Sequence, residues 1–321
     1  MAEHVLVRGA GGRTTTTFLR WGSGWRGQLG MGPAVTHALP TAAAPAESLL
    51  ATTTSRVVCG PAHALALPQA GQGGAALVWG RNCSGQLGLG DLRDRHWPTP
   101  LPPPPPGAAD QRQPPPRRNA EAAAAAAPRE GHVDEGGAGW GRGVGLGSFH
   151  SVVVSGWGHT LVLAGDQVLA WGWNRHGQCG LGHKEFVPTV QPVQALAGLD
   201  VVDVAAGATH SLALTHGKLG LGDDGGDQQA PHRLESFGGL RVVGLAAGAD
   251  HTAAITEDGG LWLWGFGQHG ALGFAEGANE NAPRRLELRG RVEAVSCGMD
   301  ITVVQLATGR LPSGGGHWSG C

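Results

Sequence analysis

Two short phrases recur along this chain, and their recurrence restricts the fold more than any other feature. One reads WGSGWRGQLGMG from Trp21, WGRNCSGQLGLG from Trp79, WGWNRHGQCGLG from Trp171 and WGFGQHGALGFA from Trp264. In each, the Gly of Trp-Gly precedes the next fixed Gly by five residues: Gly22 and Gly27, Gly80 and Gly85, Gly172 and Gly177, Gly265 and Gly270. The other phrase reads VVCGPAHALAL, VVSGWGHTLVL, VAAGATHSLAL, LAAGADHTAAI and, degraded, VSCGMDITVVQ, with its Gly at 60, 156, 207, 248 and 298. Self-similarity at a fixed period marks stacked copies of one small unit.

Each piece has a physical task. His-x-Leu-x-Leu alternates with period two, as a half-buried strand does. Val-Val or Val-Ala before it makes another short apolar strand. The residues just ahead of the second-phrase Gly are Cys59, Ser155, Ala206, Ala247 and Cys297; all are small, which indicates crowding near a common axis. Val168–Gly172 and Leu261–Gly265 read as the next strand. The GQLGLG phrase then reverses the chain, with Gly supplying positive φ and Leu plugging the turn into the sheet. One unit is about four short strands in roughly 50 residues, the size of a propeller blade. The expected fold is therefore all-β: a β-propeller of four-stranded blades, incomplete at about five repeats.

One repeat departs from the pattern. From the second-phrase Gly to the fixed turn Gly the separations are 25, 21, 10 and 22 residues. The short interval, Gly207 to Gly217, lacks about 11 residues, enough for one strand and its turn. This repeat is expected to be short of a strand, and an omitted segment of sequence is the favoured cause. Losing a strand exposes sheet edges and apolar faces. The chain also opens inside one unit, at the Trp21 turn, and closes inside another, so the two ends could share a blade.

The domain reading follows. Residues 1–18 form an N-terminal tail, with a weak transit-peptide composition in Arg8, Arg13 and four consecutive Thr. Residues 19–100 hold the first repeats, and residues 148–311 hold the rest. Between them, residues 101–147 carry PPPPP, EAAAAAA and GGAGWGRGVGLG, read as a disordered linker or lid. Residues 312–321 form a C-terminal tail. Composition adds exclusions: a net charge of −2 offers no electrostatic case for nucleic acid. No apolar run is long enough for a membrane span. Five Cys without a CxxC pair fit free thiols in a reducing compartment, hence a cytoplasmic or nuclear site.

The phrases G-x-x-H-[ST]-x-A-L and W-G-x-N-x-x-G-Q-L-G-x-G resemble the repeats of the regulator of chromosome condensation family. The resemblance covers Leu19–Pro100 and Ser148–Leu311 and implies a β-propeller, usually of seven blades. It also implies two kinds of activity, neither hydrolytic nor redox: a non-catalytic scaffold that binds proteins, or nucleotide exchange on a small GTPase, as in the family's founder. The family's plant ultraviolet-B receptor uses G-W-R-H-T phrases. The chain has one similar phrase, GWGHT, with Gly158 where Arg would stand, which counts against light sensing by that mechanism.

The candidate residues follow from these readings. His63, His159, His210 and His251 recur once per repeat and could suggest a metal ring. Recurrence with every repeat instead marks them as architectural, hydrogen-bonded to a neighbouring blade's backbone. Gly60, Gly156, Gly207 and Gly248 belong to the same turns, and Trp79, Trp171 and Trp264 are expected to pack between blades. GQLGLG lacks the Lys-Ser/Thr of a phosphate loop, and no nucleophile elbow occurs. No catalytic residue, metal or cofactor is expected. Trp157 and Trp173 stand outside the repeat positions and are candidate contacts for a protein partner. Asp223, Asp224 and Asp227 form the candidate acidic loop for a GTPase, although a solvated turn is the simpler reading.

Overall fold

The computed structural model describes residues 4–10, 16–24, 35–42, 54–68, 75–104, 152–165, 167–215, 218–220, 228–234, 237, 239–275 and 277–307, with side chains from residue 57 onward except in 218–220. Nearly all the regular structure is β. Among the described residues the only helical piece is a 3-10 turn, Gln194–Leu196. Among the described residues no helix is long and apolar enough to cross a membrane. The chain falls into two compact units, residues 1–175 with 184–198, and residues 176–183 with 199–321.

The first unit holds three antiparallel sheets. β1 (His4–Ala10), β2 (Thr16–Gly24) and β3 (Val35–Ala42) form one. β4 (Thr54–Cys59), β5 (His63–Pro68), β6 (Leu77–Gly80) and β7 (Arg95–Pro100) form the second, in chain order. β8 (Val152–Ser155), β9 (His159–Ala164), β10 (Gln167–Gly172) and β11 (Val187–Pro192) form the third. The second unit holds β12 (Val201–Ala206), β13 (Ser211–Thr215), β14 (Lys218–Gly220) and β15 (Arg233–Leu234). They are followed by β16 (Val242–Ala247), β17 (His251–Thr256), β18 (Leu261–Gly265) and β19 (Glu280–Leu286). A two-stranded sheet of β20 (Val292–Cys297) and β21 (Thr302–Leu306) ends the described chain.

The registers explain the repeat phrases. The first and second strands of a blade are joined by a tight turn closed from the Gly N–H to the carbonyl three residues on. Gly60, Gly156, Gly207 and Gly248 donate to His63, His159, His210 and His251 at 2.8–3.0 Å. The His of each second strand then pairs with the Gly of Trp-Gly: His63 with Gly80, His159 with Gly172, His251 with Gly265. Register shifts at Ala170/Gly172, Val78/Gly80 and Leu263/Gly265, where the third strand meets the fourth, place a β-bulge at each Trp. His4 pairs with Gly22 in the same way, so β1 is also a second strand. The first repeat therefore begins earlier than the Trp21 turn.

The short repeat resolves differently from the expected loss of one strand. Its sheet keeps four strands in the order β12-β13-β14-β15, but β14 has three residues and β15 two. Lys218–Gly220, which reads as part of a turn phrase, instead pairs with β13 and β15. The edge of β13 would otherwise leave its N–H and C=O groups unpaired, and even a poor strand offsets that cost.

The core lies between sheets as well as within them. In the second unit, Leu212 and Leu214 of β13 pack with Ala254, Trp264 and Val242 of the following sheet. Phe237 lies edge-on to Trp262 and Trp264, with ring centroids 5.6 and 6.0 Å apart. In the first unit Trp79 and Trp171 are fully buried. The fixed Leu of the turn phrase is buried at Leu87 and Leu272, and Cys179 takes its place in the third sheet. Burial pushes the Cys179 thiol far above its ordinary range, so it behaves as a small apolar plug.

Candidate partner-binding face

The recurrent His residues form latches between successive sheets. His63 Nε2 lies 2.9 Å from Thr160 Oγ1 and 3.1 Å from Ser155 Oγ, both in the next sheet. His210 Nε2 meets Thr252 Oγ1 at 2.9 Å, and His251 Nε2 meets Thr302 Oγ1 at 3.0 Å. A side-chain hydroxyl of the next sheet is thus a partner of each of these three, and His251 also bonds to the Ile301 backbone there, the kind of partner expected from the sequence. Two of these hydroxyls in turn donate to a turn-phrase carbonyl: Thr160 to Gln86 at 3.3 Å and Thr302 to Ala271 at 2.7 Å. With its proton committed there, the hydroxyl of Thr160 or Thr302 can only accept from the imidazole. Nε2 therefore carries the hydrogen in His63 and His251. Burial holds the His251 pKa below its ordinary value, opposed by Asp300 and Asp250, and so favours this neutral form.

The hydroxyl partner was legible in retrospect. His is followed by Thr160, Ser211 and Thr252, and the degraded Ile301 by Thr302. Ala64 breaks the series, as does Val5 after His4. Thr160→Val removes a fully buried hydroxyl and leaves His63 Nε2 without its nearest acceptor. The expected loss is about 1–3 kcal/mol, measured by urea unfolding followed by circular dichroism. Thr160→Ser should restore most of it. A neutral Thr160→Val would show that the latch contributes nothing.

These latches occupy the recurrent His residues with structural work. Among the described residues no group of three His, Cys, Asp or Glu side chains could hold a metal. Cys59, Cys83, Cys179 and Cys297 are free thiols.

The same turns build a loop face. The residue after Trp-Gly donates its N–H to the carbonyl of the residue before His: Arg81 to Ala62 at 2.9 Å, Trp173 to Gly158 at 2.7 Å, Phe266 to Asp250 at 2.8 Å. Each pair of loops is thereby locked side by side. Behind them a buried Asn organises the turn phrase, with Asn82 Oδ1 accepting from Leu87 N at 2.9 Å. The Asn82 N–H donates to Asp94 Oδ1 at 2.8 Å, and where Gly267 replaces that Asn, the Gly267 N–H donates to Asn279 Oδ1 at 3.0 Å in the same way.

In the third sheet this loop pair carries both tryptophans singled out from the sequence. Trp157 is 54% exposed, whereas Trp173 is half-buried against Gly158. A Cβ at Gly158 would lie 2.9 Å from Trp173 Cβ. Gly158 and Trp173 are therefore packed closely side by side. The Arg175 guanidinium lies over the Phe186 ring, 5.4 Å from its centroid, on the loop that follows. Asp223, Asp224 and Asp227 lie outside the described residues, as does most of the proline- and alanine-rich segment.

Comparison with known proteins agrees with this geometry. The regulator of chromosome condensation (RCC1) repeat matches residues 73–107, 166–214, 215–255 and 258–305, more than half of the chain. The ultraviolet-B receptor UVR8 of Arabidopsis thaliana is 31% identical over 277 residues, covering 82% of this chain and 53% of the receptor. The chain thus spans about half the length of that relative. Among solved structures, human WBSCR16 superposes with a TM-score of 0.65 at 19% identity, covering 95% of this chain and 73% of that one. Prp20p from Saccharomyces cerevisiae, described with its binding properties to Gsp1p and histones, gives a TM-score of 0.62 at 19% identity, covering 90% of this chain and 65% of that one. Both show the propeller fold. With its repeat matched over more than half its length and the same blade register recurring through its sheets, the chain belongs to the regulator of chromosome condensation repeat family.

Proposed function

We propose that this protein is a non-catalytic interaction module whose loop face in the third sheet, carrying Trp157 and Trp173, contacts a protein partner. The observation that carries this reading is the 54% exposure of Trp157 on a turn locked by a backbone hydrogen bond. Exposed aromatic anchors on rigid turns tend to dominate binding energy. The corresponding positions in the other sheets are Pro61, Ala208, Ala249 and Met299, so no repeat requirement keeps a Trp there.

The test is quantitative co-purification of tagged chain from its native source. Trp157→Ala should leave the unfolding midpoint unchanged and lower recovery of the main partner at least tenfold. A partner set identical to that of the wild type would remove the reading.

A second reading, exchange of nucleotide on a small GTPase, draws support from the fold shared with Prp20p and from that protein's binding to Gsp1p. It predicts faster release of labelled GDP from a Ran-like GTPase when the chain is added. Unchanged release across a panel of small GTPases would eliminate it. Light sensing is the weakest alternative, because the chain has one such phrase and Gly158 stands where the receptor phrase carries Arg.

A further inference from the structure

We infer that the loop face around Trp157 takes an acidic segment of a partner protein, with an apolar residue seated on the tryptophan and carboxylates on either side of it. The surface is the one proposed above as the partner contact, and its chemistry rests on that proposal. Four loops of the second and third sheets build it: 60–62, 81–84, 156–158 and 173–175. They are contiguous. The residue after each Trp-Gly is bonded to the turn beside it, Arg81 N to the Ala62 carbonyl and Trp173 N to the Gly158 carbonyl. The two turns touch as well, since a Cβ on Gly60 would lie 2.7 Å from Ser155 Cβ and 3.3 Å from the Gly156 carbonyl oxygen. Arg81, Trp157, Trp173 and Arg175 therefore share one continuous strip.

The charge of that strip is one-sided. The four loops contain two Arg and no carboxylate. Both Arg side chains are exposed, and among the described residues neither makes an ion pair. Each is held by a neutral neighbour. Arg81 Nε donates to Cys83 Sγ at 2.9 Å, and the Arg175 guanidinium lies over the exposed Phe186 ring, 5.4 Å from its centroid. Such contacts orient a guanidinium without neutralising it, and a carboxylate can still be met by the terminal amino groups. Asp94 lies behind the loops, where its Oδ1 accepts from the Asn82 N–H at 2.8 Å. Lys184 and Glu185, ahead of Phe186, offset each other in formal charge.

The repeat does not impose this polarity. The place of Arg81 is taken by Trp173 and Phe266 in other sheets, and that of Arg175 by Cys83 and Gln268. In the last two sheets the turn equivalent to 156–158 carries Asp250 and Asp300, with no Lys or Arg. Basic and acidic turns are thus sorted by sheet rather than mixed. A rigid basic strip with an aromatic centre selects an occupant of opposite charge and fixes its register. An apolar anchor on Trp157 sends its flanking carboxylates toward Arg81 on one side and Arg175 on the other. Two cations round an indole are too few to track a phosphate backbone and suit a short acidic peptide.

The probe is a labelled, end-capped peptide, DEDLFDED, titrated into the whole chain and followed by fluorescence anisotropy. Saturable binding is expected, weakened by salt. Arg81→Glu and Arg175→Glu should each weaken it about threefold or more, and together about tenfold or more. The unfolding midpoint should not move, because both side chains are exposed. Trp157→Ala should abolish saturation. A counterpart with every acid replaced by Lys should bind the double Arg variant better than the wild type. Equal binding of the two peptides to the wild type overturns the inference, as does acidic-peptide binding indifferent to Trp157→Ala. Displacement of the peptide by a short single-stranded DNA of equal charge also overturns it, because the strip would then take any polyanion. If the acidic peptide fails to bind while Trp157→Ala still lowers recovery of the native partner, the acidic chemistry is wrong and the partner contact stands. If both fail, the contact itself is lost.

Discussion

Trp171→Ala is expected to lower the stability of the first unit by about 3–5 kcal/mol, the range for removing a fully buried indole from a packed interior. Trp171 has no exposed surface and sits at the bulge where β10 gives way to β11. Its Nε1 donates to the Gln86 carbonyl at 2.9 Å, and its ring lies within 3.1 Å of where a Cβ on Gly88 would stand. The side chain therefore fills the gap between two sheets and ties off a turn of the preceding one. Trp171→Phe keeps most of the volume but lacks the donor, and should cost about 1–2 kcal/mol more than volume alone predicts. Urea unfolding by far-ultraviolet circular dichroism measures both. A Trp171→Ala midpoint close to wild type would mean that the sheets do not depend on this contact. Because Trp171 and Thr160 share the Gln86 carbonyl, their losses should not add. A double-mutant cycle should show coupling of about 0.5–3 kcal/mol.

The second large effect concerns Gly172, the Gly of Trp-Gly. Its φ is +105°, and an added Cβ would press on the Gly158 carbonyl oxygen, lie 2.8 Å from His159 Cα and 3.1 Å from Gln86 Cα. All three are backbone positions that cannot rotate away. Two costs combine, a conformation poor for any side chain and displacement of a turn already locked by the Trp173 N–H. Gly172→Ala is expected to destabilise by about 3 kcal/mol or more and to reduce soluble yield sharply. Gly165→Ala is the control. Its φ is also positive, +63°, but nothing lies within 4 Å of the new Cβ. The loss there should be about 1–2 kcal/mol. Equal costs at the two sites would show that conformation alone, and not close approach, keeps Gly in the phrase. Gly80 and Gly265, with φ of +106° and +104°, stand in the same relation to Ala62 and Asp250.

The candidate face divides between what a local pattern conveys and what it does not. Trp157 stood out because every other repeat has a smaller or flexible residue at that position, and its exposure agrees with a surface role. The packing of Trp173 on Gly158 required the pairing of β9 with β10, which places residues 15 apart in the chain side by side. Phe237 gave no signal, since it lies in an irregular stretch without periodicity, yet it is buried between Trp262 and Trp264. His4 was readable in the phrase His-Val-Leu-Val but lacked the Gly three residues earlier that marks the other copies.

By itself the sequence determined the strands, the turns that join them and the size of the repeat. Those depend on neighbours within a few residues: period-two alternation, a Gly that must take positive φ, and a small residue ahead of a tight turn. Tertiary structure decided the rest. His63 finds its hydroxyl 97 residues away, in a sheet that only folding brings alongside. Lys218–Gly220 carries the letters of a turn but pairs as a strand, because the open edge of β13 left backbone groups to satisfy. Val303 and Ala253 occupy the same place in the same pattern, yet one is open and the other sealed. An alternating strand reads identically whether or not another sheet packs over its face, so only the assembled sheets show which faces are covered.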